Sequence, residues 1–265
     1  MAGELGRRLT SGLALAAGAF ACAYLGGPYF EALVALAALV LAWEWAGLCG
    51  GRGRASAFVL AGAGTGVVVA NGLGLPGVGL GVACAGALAV YGAARLDGGR
   101  EPLWQALGAL YIGLPATALL WLRAEHGAGT VLWLMAVVAA SDIGAYAVGR
   151  SLGGPKFAPR LSPHKTRSGV AGGLASAALA GAAAGSVLDG ADGWTVIWLA
   201  LALSVAAQAG DLAESGVKRR FGVKDMSHLI PGHGGLFDRV DGLLVAAPAL
   251  ALAVFGSGGS ILAWR

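Results

Sequence analysis

Three aspartates and a run of basic residues carry the strongest chemical signal in the chain. Asp211 closes one apolar run, and Asp238 and Asp241 open the next. Between them lies Ser215-Gly-Val-Lys218-Arg219-Arg220-Phe-Gly-Val-Lys224-Asp225-Met-Ser-His228-Leu-Ile-Pro231-Gly232-His233-Gly234-Gly235-Leu-Phe-Asp238-Arg239-Val-Asp241. A spacing of three puts Asp238 and Asp241 on one face of a helix. Carboxylates at the ends of two consecutive helices can converge on a hard cation, and Mg²⁺ takes one or two carboxylates together with substrate phosphate oxygens. The run Pro231 to Gly235 can turn the backbone sharply and aim N–H groups at phosphate, while Lys218, Arg219, Lys224 and Arg239 supply countercharge. Singly, each feature has a plainer explanation: helix caps, a cytoplasmic anchor and an ordinary turn. Together they describe a site for a nucleotide phosphate.

A second block lies upstream, Ser141-Asp142-Ile-Gly-Ala145-Tyr146-Ala-Val-Gly149-Arg150, followed by Ser162-Pro163-His164-Lys165-Thr166. An ionisable side chain inside an apolar run costs at least about 2.5 kcal/mol against lipid. Asp142 is therefore expected to face an interior polar cavity and to shape the nucleotide or cation pocket; the alternative is a buried acid satisfied by Tyr146, one turn on, or by a neighbouring helix. Glu31 and Glu44 read as an interfacial residue and an interhelical hydrogen bond, and His126 as a surface residue of an exported loop. Cys22, Cys49 and Cys84 form no CxxC pair and flank no histidine, so neither a disulfide framework nor a zinc site is expected.

The longer motif resembles the signature of the phosphatidate cytidylyltransferases: Ser, then Lys-Arg, Lys-Asp, His-Gly-Gly, Asp-Arg and Asp, each with a counterpart between Ser215 and Asp241. Gly210 to Ser215 is similar to the stretch leading into that signature, and the upstream block to the family's acidic-aromatic helix and Ser-Pro-Lys-Lys-Thr-like loop, with His164 where lysine is common. The resemblance covers the C-terminal half. It implies attack of a phosphatidic acid oxygen on the α-phosphorus of CTP, releasing pyrophosphate. It implies Asp211, Asp238 and Asp241 as Mg²⁺ ligands, with Lys218, Arg219, Lys224 and Arg239 neutralising phosphates. Ser162, Lys165 and Thr166 would close over the triphosphate, with Ser215, His233, Gly234, Gly235 and Asp142 completing the substrate site. A second, monovalent cation and a homodimer are further implications of the family; nothing points to nucleic acid. The rival readings are another CTP-dependent membrane lipid enzyme, such as a polyprenol or phytol kinase or an archaeal-lipid cytidylyltransferase, and a secondary transporter.

The elements that must hold these residues are membrane helices. With 57% hydrophobic and 12% charged residues among 265, and a mean hydropathy of +0.73, the chain is far more apolar than a soluble domain, where about a quarter of residues are charged. Apolar runs of span length fall near 9 to 26, 28 to 48, 55 to 73, 76 to 94, 103 to 122, 129 to 149, 169 to 188, 193 to 213 and 242 to 258. The predicted fold is all-α and polytopic, with about nine spans. With the N-terminus in the cytoplasm, all but Arg123 and Arg265 of the 18 Lys and Arg fall on the cytoplasmic side, as the positive-inside rule requires. Residues 1–100 read as structural or dimer-forming helices, and 101–265 as the catalytic region with cytoplasmic links 149–168 and 214–241. The expected location is the inner membrane, multi-pass, with the active site facing the cytoplasm. The 47 glycines suit close helix packing. Arg7 and Arg8 ahead of Ala21-Cys22-Ala23 also allow a cleaved signal peptide, although a retained first helix needs no further assumption.

Overall fold

The computed structural model describes residues 2–50, 54–185, 193–230 and 234–258. Eight helices and one hairpin follow in order: α1 (Ala2–Leu25), α2 (Gly27–Leu48), α3 (Ala55–Gly72), α4 (Pro76–Leu96), α5 (Pro102–Leu152), β1 (Lys156–Ala158), β2 (Ser162–Thr166), α6 (Arg167–Gly185), α7 (Gly193–Arg220) and α8 (Phe237–Gly256). Helices α2 to α8 are each long and apolar enough to cross a membrane. Large apolar side chains such as Leu36, Phe58, Leu88, Leu179 and Leu252 are exposed on them, the surface expected where lipid rather than water is the solvent. The protein is an all-α, polytopic membrane protein.

Local chemistry sets the boundaries. Pro28 and Pro76 sit in the first turns of α2 and α4, where a missing N–H costs nothing and the fixed φ favours helix entry. Helix α5 has 51 residues, about 75 Å at 1.5 Å per residue and more than twice the hydrocarbon thickness. Gly127 interrupts it with φ 79° and ψ 176°, so the element comprises two helical stretches, which carry the two expected spans 103 to 122 and 129 to 149.

Two compact units emerge, Met1–Ala124 with Phe221–Val240, and Glu125–Arg220 with Asp241–Arg265. Within the first, α2 packs on α1 and α3, and α3 on α4. Their contact is close: a Cβ on Gly86 would lie 2.6 Å from the Ala63 Cβ. Arg123 donates to the Ala23 and Tyr24 carbonyls at the end of α1, at 2.7 and 2.9 Å, placing a cation at the negative end of a helix. Within the second, α6 packs on α7 and against the hairpin.

Two expectations about the links change. The link expected to begin at residue 149 begins as helix, because α5 runs to Leu152, and it then forms a hairpin in which β1 pairs antiparallel with β2, Lys156 opposite Thr166 and Ala158 opposite Ser162. The link expected to begin at residue 214 begins as helix, because α7 continues to Arg220. Glu214 and Lys218 pair at i,i+4, and Lys218, Arg219 and Arg220 fill the last turn, both favourable to helix at a C-terminus. Ser215, Lys218 and Arg219 therefore project from a helix.

Candidate active site

In the second unit, Asp211 and Glu214 stand one turn apart on α7, and Asp241 lies in the first turns of α8. One carboxylate oxygen from each comes within 4.8 Å of the others. The approach depends on Gly210: a Cβ there would sit 2.5 Å from the Asp241 carbonyl oxygen, so backbone meets backbone beside the acids. Gly242 serves the same contact from α8, where a Cβ would lie 3.2 Å from the Ala207 Cβ.

The acids are held by cations and donors of the same unit. Lys165 Nζ is 2.6 Å from Asp211 Oδ2, and Lys218 Nζ is 2.8 Å from Glu214 Oε2. Ser215 Oγ donates to Asp211 Oδ1 at 3.5 Å, and the Gly242 amide to Asp241 Oδ1 at 2.8 Å. Glu214 is 1% exposed, while the Asp211 side chain is 38% exposed; the cluster is buried on one side and open on the other. Asp142 is exposed and close enough to Asp241 for their charges to repel. Exposure of Asp142 replaces the interior cavity expected for it, and Tyr146, the partner in the alternative reading, accepts from Arg150 Nη1 at 3.0 Å. Among the described residues, the three clustered acids with Asp142 nearby present hard oxygen donors, which suit a divalent cation.

The hairpin brings Lys165 to this cluster. Thr166 Oγ1 accepts the Gly169 amide at 3.1 Å, the N-cap pattern for α6, so this hydroxyl, expected to contact triphosphate, is engaged in starting a helix. The hairpin turn is tied to α7 by Arg219 Nε donating to the Leu161 carbonyl at 3.4 Å. Ser162 lies in β2, half-buried. In the same unit, Ser141 and Ser204 are buried and share a hydroxyl hydrogen bond of 2.7 Å, with Gln208 donating to Ser204 at 3.2 Å.

In the first unit, the segment leading into α8 is organised by two carboxylates. Asp238 Oδ2 accepts the Met226 and Gly235 amides at 3.1 and 2.8 Å. Glu44 on α2 accepts Ser227 Oγ at 2.5 Å and the Leu236 and Phe237 amides at 2.8 and 2.9 Å. The amide of Ile230 donates to the Gly234 carbonyl at 2.9 Å. Lys224 and Arg239 are exposed, and His233 lies outside the described residues. The structure therefore gathers Asp211 and Asp241 as expected from the sequence, adds Glu214, and engages Asp238 Oδ2 in the loop. The Gly235 N–H, expected to be aimed at phosphate, is directed to that carboxylate. Glu214 was legible as Asp211 plus three on a helix, but the expected end of the span at 213 hid it.

The cytidylyltransferase family model matches residues 6–256. A phosphatidate cytidylyltransferase of Brucella suis biovar 1 is 52% identical over 151 residues, 56% of either chain. One of Mycobacterium leprae is 44% identical over 130 residues, covering 49% of this chain and 42% of the relative. The matched stretch thus spans about half the length of these curated relatives. With the family model matching almost from end to end, the chain belongs to the cytidylyltransferase family.

Proposed function

We propose that this protein transfers CMP from CTP to phosphatidic acid, giving CDP-diacylglycerol and pyrophosphate, as a multi-pass protein of the inner membrane with its site at the cytoplasmic face. The observation that carries the reading is the cluster of Asp211, Glu214 and Asp241, countered by Lys165 and Lys218, within a chain of the cytidylyltransferase family. The relatives' names supply the substrates, and the distribution of Lys and Arg supplies the orientation.

The chemistry asks little of acid–base catalysis. A phosphate monoester has its second pKa at about 6, so the attacking oxygen is already largely ionised at neutral pH. What must be overcome is repulsion between two anions, and positioning with charge neutralisation does that. Asp211, Glu214 and Asp241 would hold Mg²⁺, which supplies Lewis-acid charge neutralisation at the phosphates. Lys165 and Lys218, paired with two of these acids, would move onto phosphate oxygens. Ser215 orients Asp211, Ser162 and Thr166 hold the hairpin that delivers Lys165, and Asp142 adds to the negative field that favours a cation. Arg219, Lys224, Arg239, His233, Gly234 and Gly235 take their phosphate-binding roles from the motif alone. Asp238, whose Oδ2 accepts two loop amides, takes its metal-binding role from the motif alone. Because the acyl chains must remain in hydrocarbon while the head group reacts, the lipid reaches the site from the bilayer. The homodimer implied by the resemblance belongs to this reading and is tested by the mass of the protein in nanodiscs.

The test is purified protein in liposomes with phosphatidic acid, Mg²⁺ and CTP labelled at either the α- or the γ-phosphate. Label from the α-phosphate in the lipid product is expected. Label from the γ-phosphate would make the protein a lipid kinase, and no labelled lipid would reject the proposal.

A further inference from the structure

Glu44 is a fully buried acid for which the proposed chemistry has no use. It lies on α2 between Trp43 and Trp45, where an unsatisfied carboxylate would cost several kcal/mol. Its three hydrogen bonds come from both limbs of one loop: Ser227 on the way out, Leu236 and Phe237 on the way back. The two amides are those of the residue before α8 and of its first residue, so Glu44 supplies the N-terminal anion of a helix to which it does not belong. Asp238 ties the same limbs a second time, through Met226 and Gly235.

The glycines of the motif follow from these carboxylates. A Cβ on Gly235 would lie 2.5 Å from Glu44 Oε1 and 3.0 Å from Ser227 Oγ. One on Gly234, which has φ +79°, would lie 2.9 Å from Asp238 Oδ2. Phe237 then seats the limb in an aromatic floor, its ring stacked on Tyr111 at 5.7 Å and tilted against Trp45 at 5.5 Å. The loop held in this way, with the first turn of α8, carries Lys224, Gly234, Gly235 and Arg239, the residues assigned by motif to phosphate.

We propose that Glu44 is a positioning residue for CMP transfer, a cap supplied across helices that fixes the motif loop so that its cations meet the nucleotide in register. The proposal rests on the reading of the chain as a cytidylyltransferase acting on CTP. Glu44→Gln keeps the shape but, with Leu236 donating to one carboxylate oxygen and Phe237 to the other, turns an N–H donor toward a backbone amide that can only donate. A loss of fold alone lowers the amount of active enzyme, so kcat falls with KM unchanged, whereas a displaced loop also weakens nucleotide binding. In full-length protein in nanodiscs, Glu44→Gln is expected to raise KM for CTP about tenfold and lower kcat about tenfold or more. Amide exchange at Leu236 and Phe237 should accelerate together with Gly235, while amides of α3 and α4 exchange as in the wild type. Ser227→Ala, which removes one contact and leaves the helix amides capped, should move both readouts in the same direction by less, and carries the test if Glu44→Gln does not fold. An unchanged KM for CTP, or wild-type exchange in the loop, would overturn the proposal. The exchange comparison needs no substrate, so an inactive wild type would count against the proposed function and leave the anchoring itself decided.

Discussion

The acids and lysines of the second unit differ in what their loss should do. Asp211 and Asp241 are partly open, so Asp→Asn at either should cost at least about 100-fold in CMP transfer, the scale of removing a principal electrostatic contact, while the protein stays folded by detergent melting. Lys218 is also structural: its ammonium meets a Glu214 side chain that is 2% exposed. Lys218→Met should destabilise the fold by about 3 kcal/mol, since stranding one partner of a buried pair is costly, and a thermal melt beside a turnover assay separates the two effects. Cys49 gives an independent check on packing. Burial, with the Glu101 charge nearby, pushes its thiol up to about 12, so it stays neutral and unreactive at any ordinary pH. Maleimide at pH 8 should leave Cys49 unmodified in the folded protein and label it in SDS. At this scale the sequence was legible where spacing is local. Asp211 and Asp241 could be chosen from helix ends. The partners of Asp238 and Glu44 could not, because backbone amides have no signature in the sequence.

Helices and the hairpin determine how near the charges come. Gly210 lets α7 touch α8 backbone to backbone beside Asp211 and Asp241. Gly210→Ala is therefore expected to part the helices and reduce turnover about tenfold or more, since small misplacements at a reacting centre carry large rate penalties; Gly216→Ala, whose nearest neighbour is the flexible Leu161 side chain at 3.7 Å, should be near neutral. Among the described residues the apolar runs fall largely on helices, because hydropathy reports span length directly; the end of the run 169 to 188 lies outside those residues. The β1–β2 hairpin was not legible: eleven residues from Lys156 to Thr166 show no alternation of apolar and polar types, and their order comes from pairing and from the Thr166 cap. Helix α7 outlasting its apolar run had the opposite cause, an ion pair and dipole effect that a hydropathy window ignores.

The whole molecule combines an apolar exterior with charge concentrated in a few links, and that asymmetry carries the expected orientation. If the hairpin faces the cytoplasm, a cysteine replacing the exposed His164 should be labelled by an impermeant maleimide in inside-out vesicles and not in right-side-out ones. The opposite pattern would reverse the orientation drawn from the basic residues. Family membership was legible from the motif because it is a continuous string of unusual residues. The chemistry of the fold was less so, since the motif mixes residues at an acid cluster on α7 and α8 with residues whose side chains tie a loop.

The central claim is that Asp211, Glu214 and Asp241 gather a divalent cation, and Mn²⁺ binding followed by electron paramagnetic resonance tests it without turnover. The wild-type protein should bind Mn²⁺ in competition with Mg²⁺, and Asp241→Asn should weaken that binding at least about tenfold, as loss of a charged ligand demands. Binding by Asp241→Asn equal to the wild type would contradict the account.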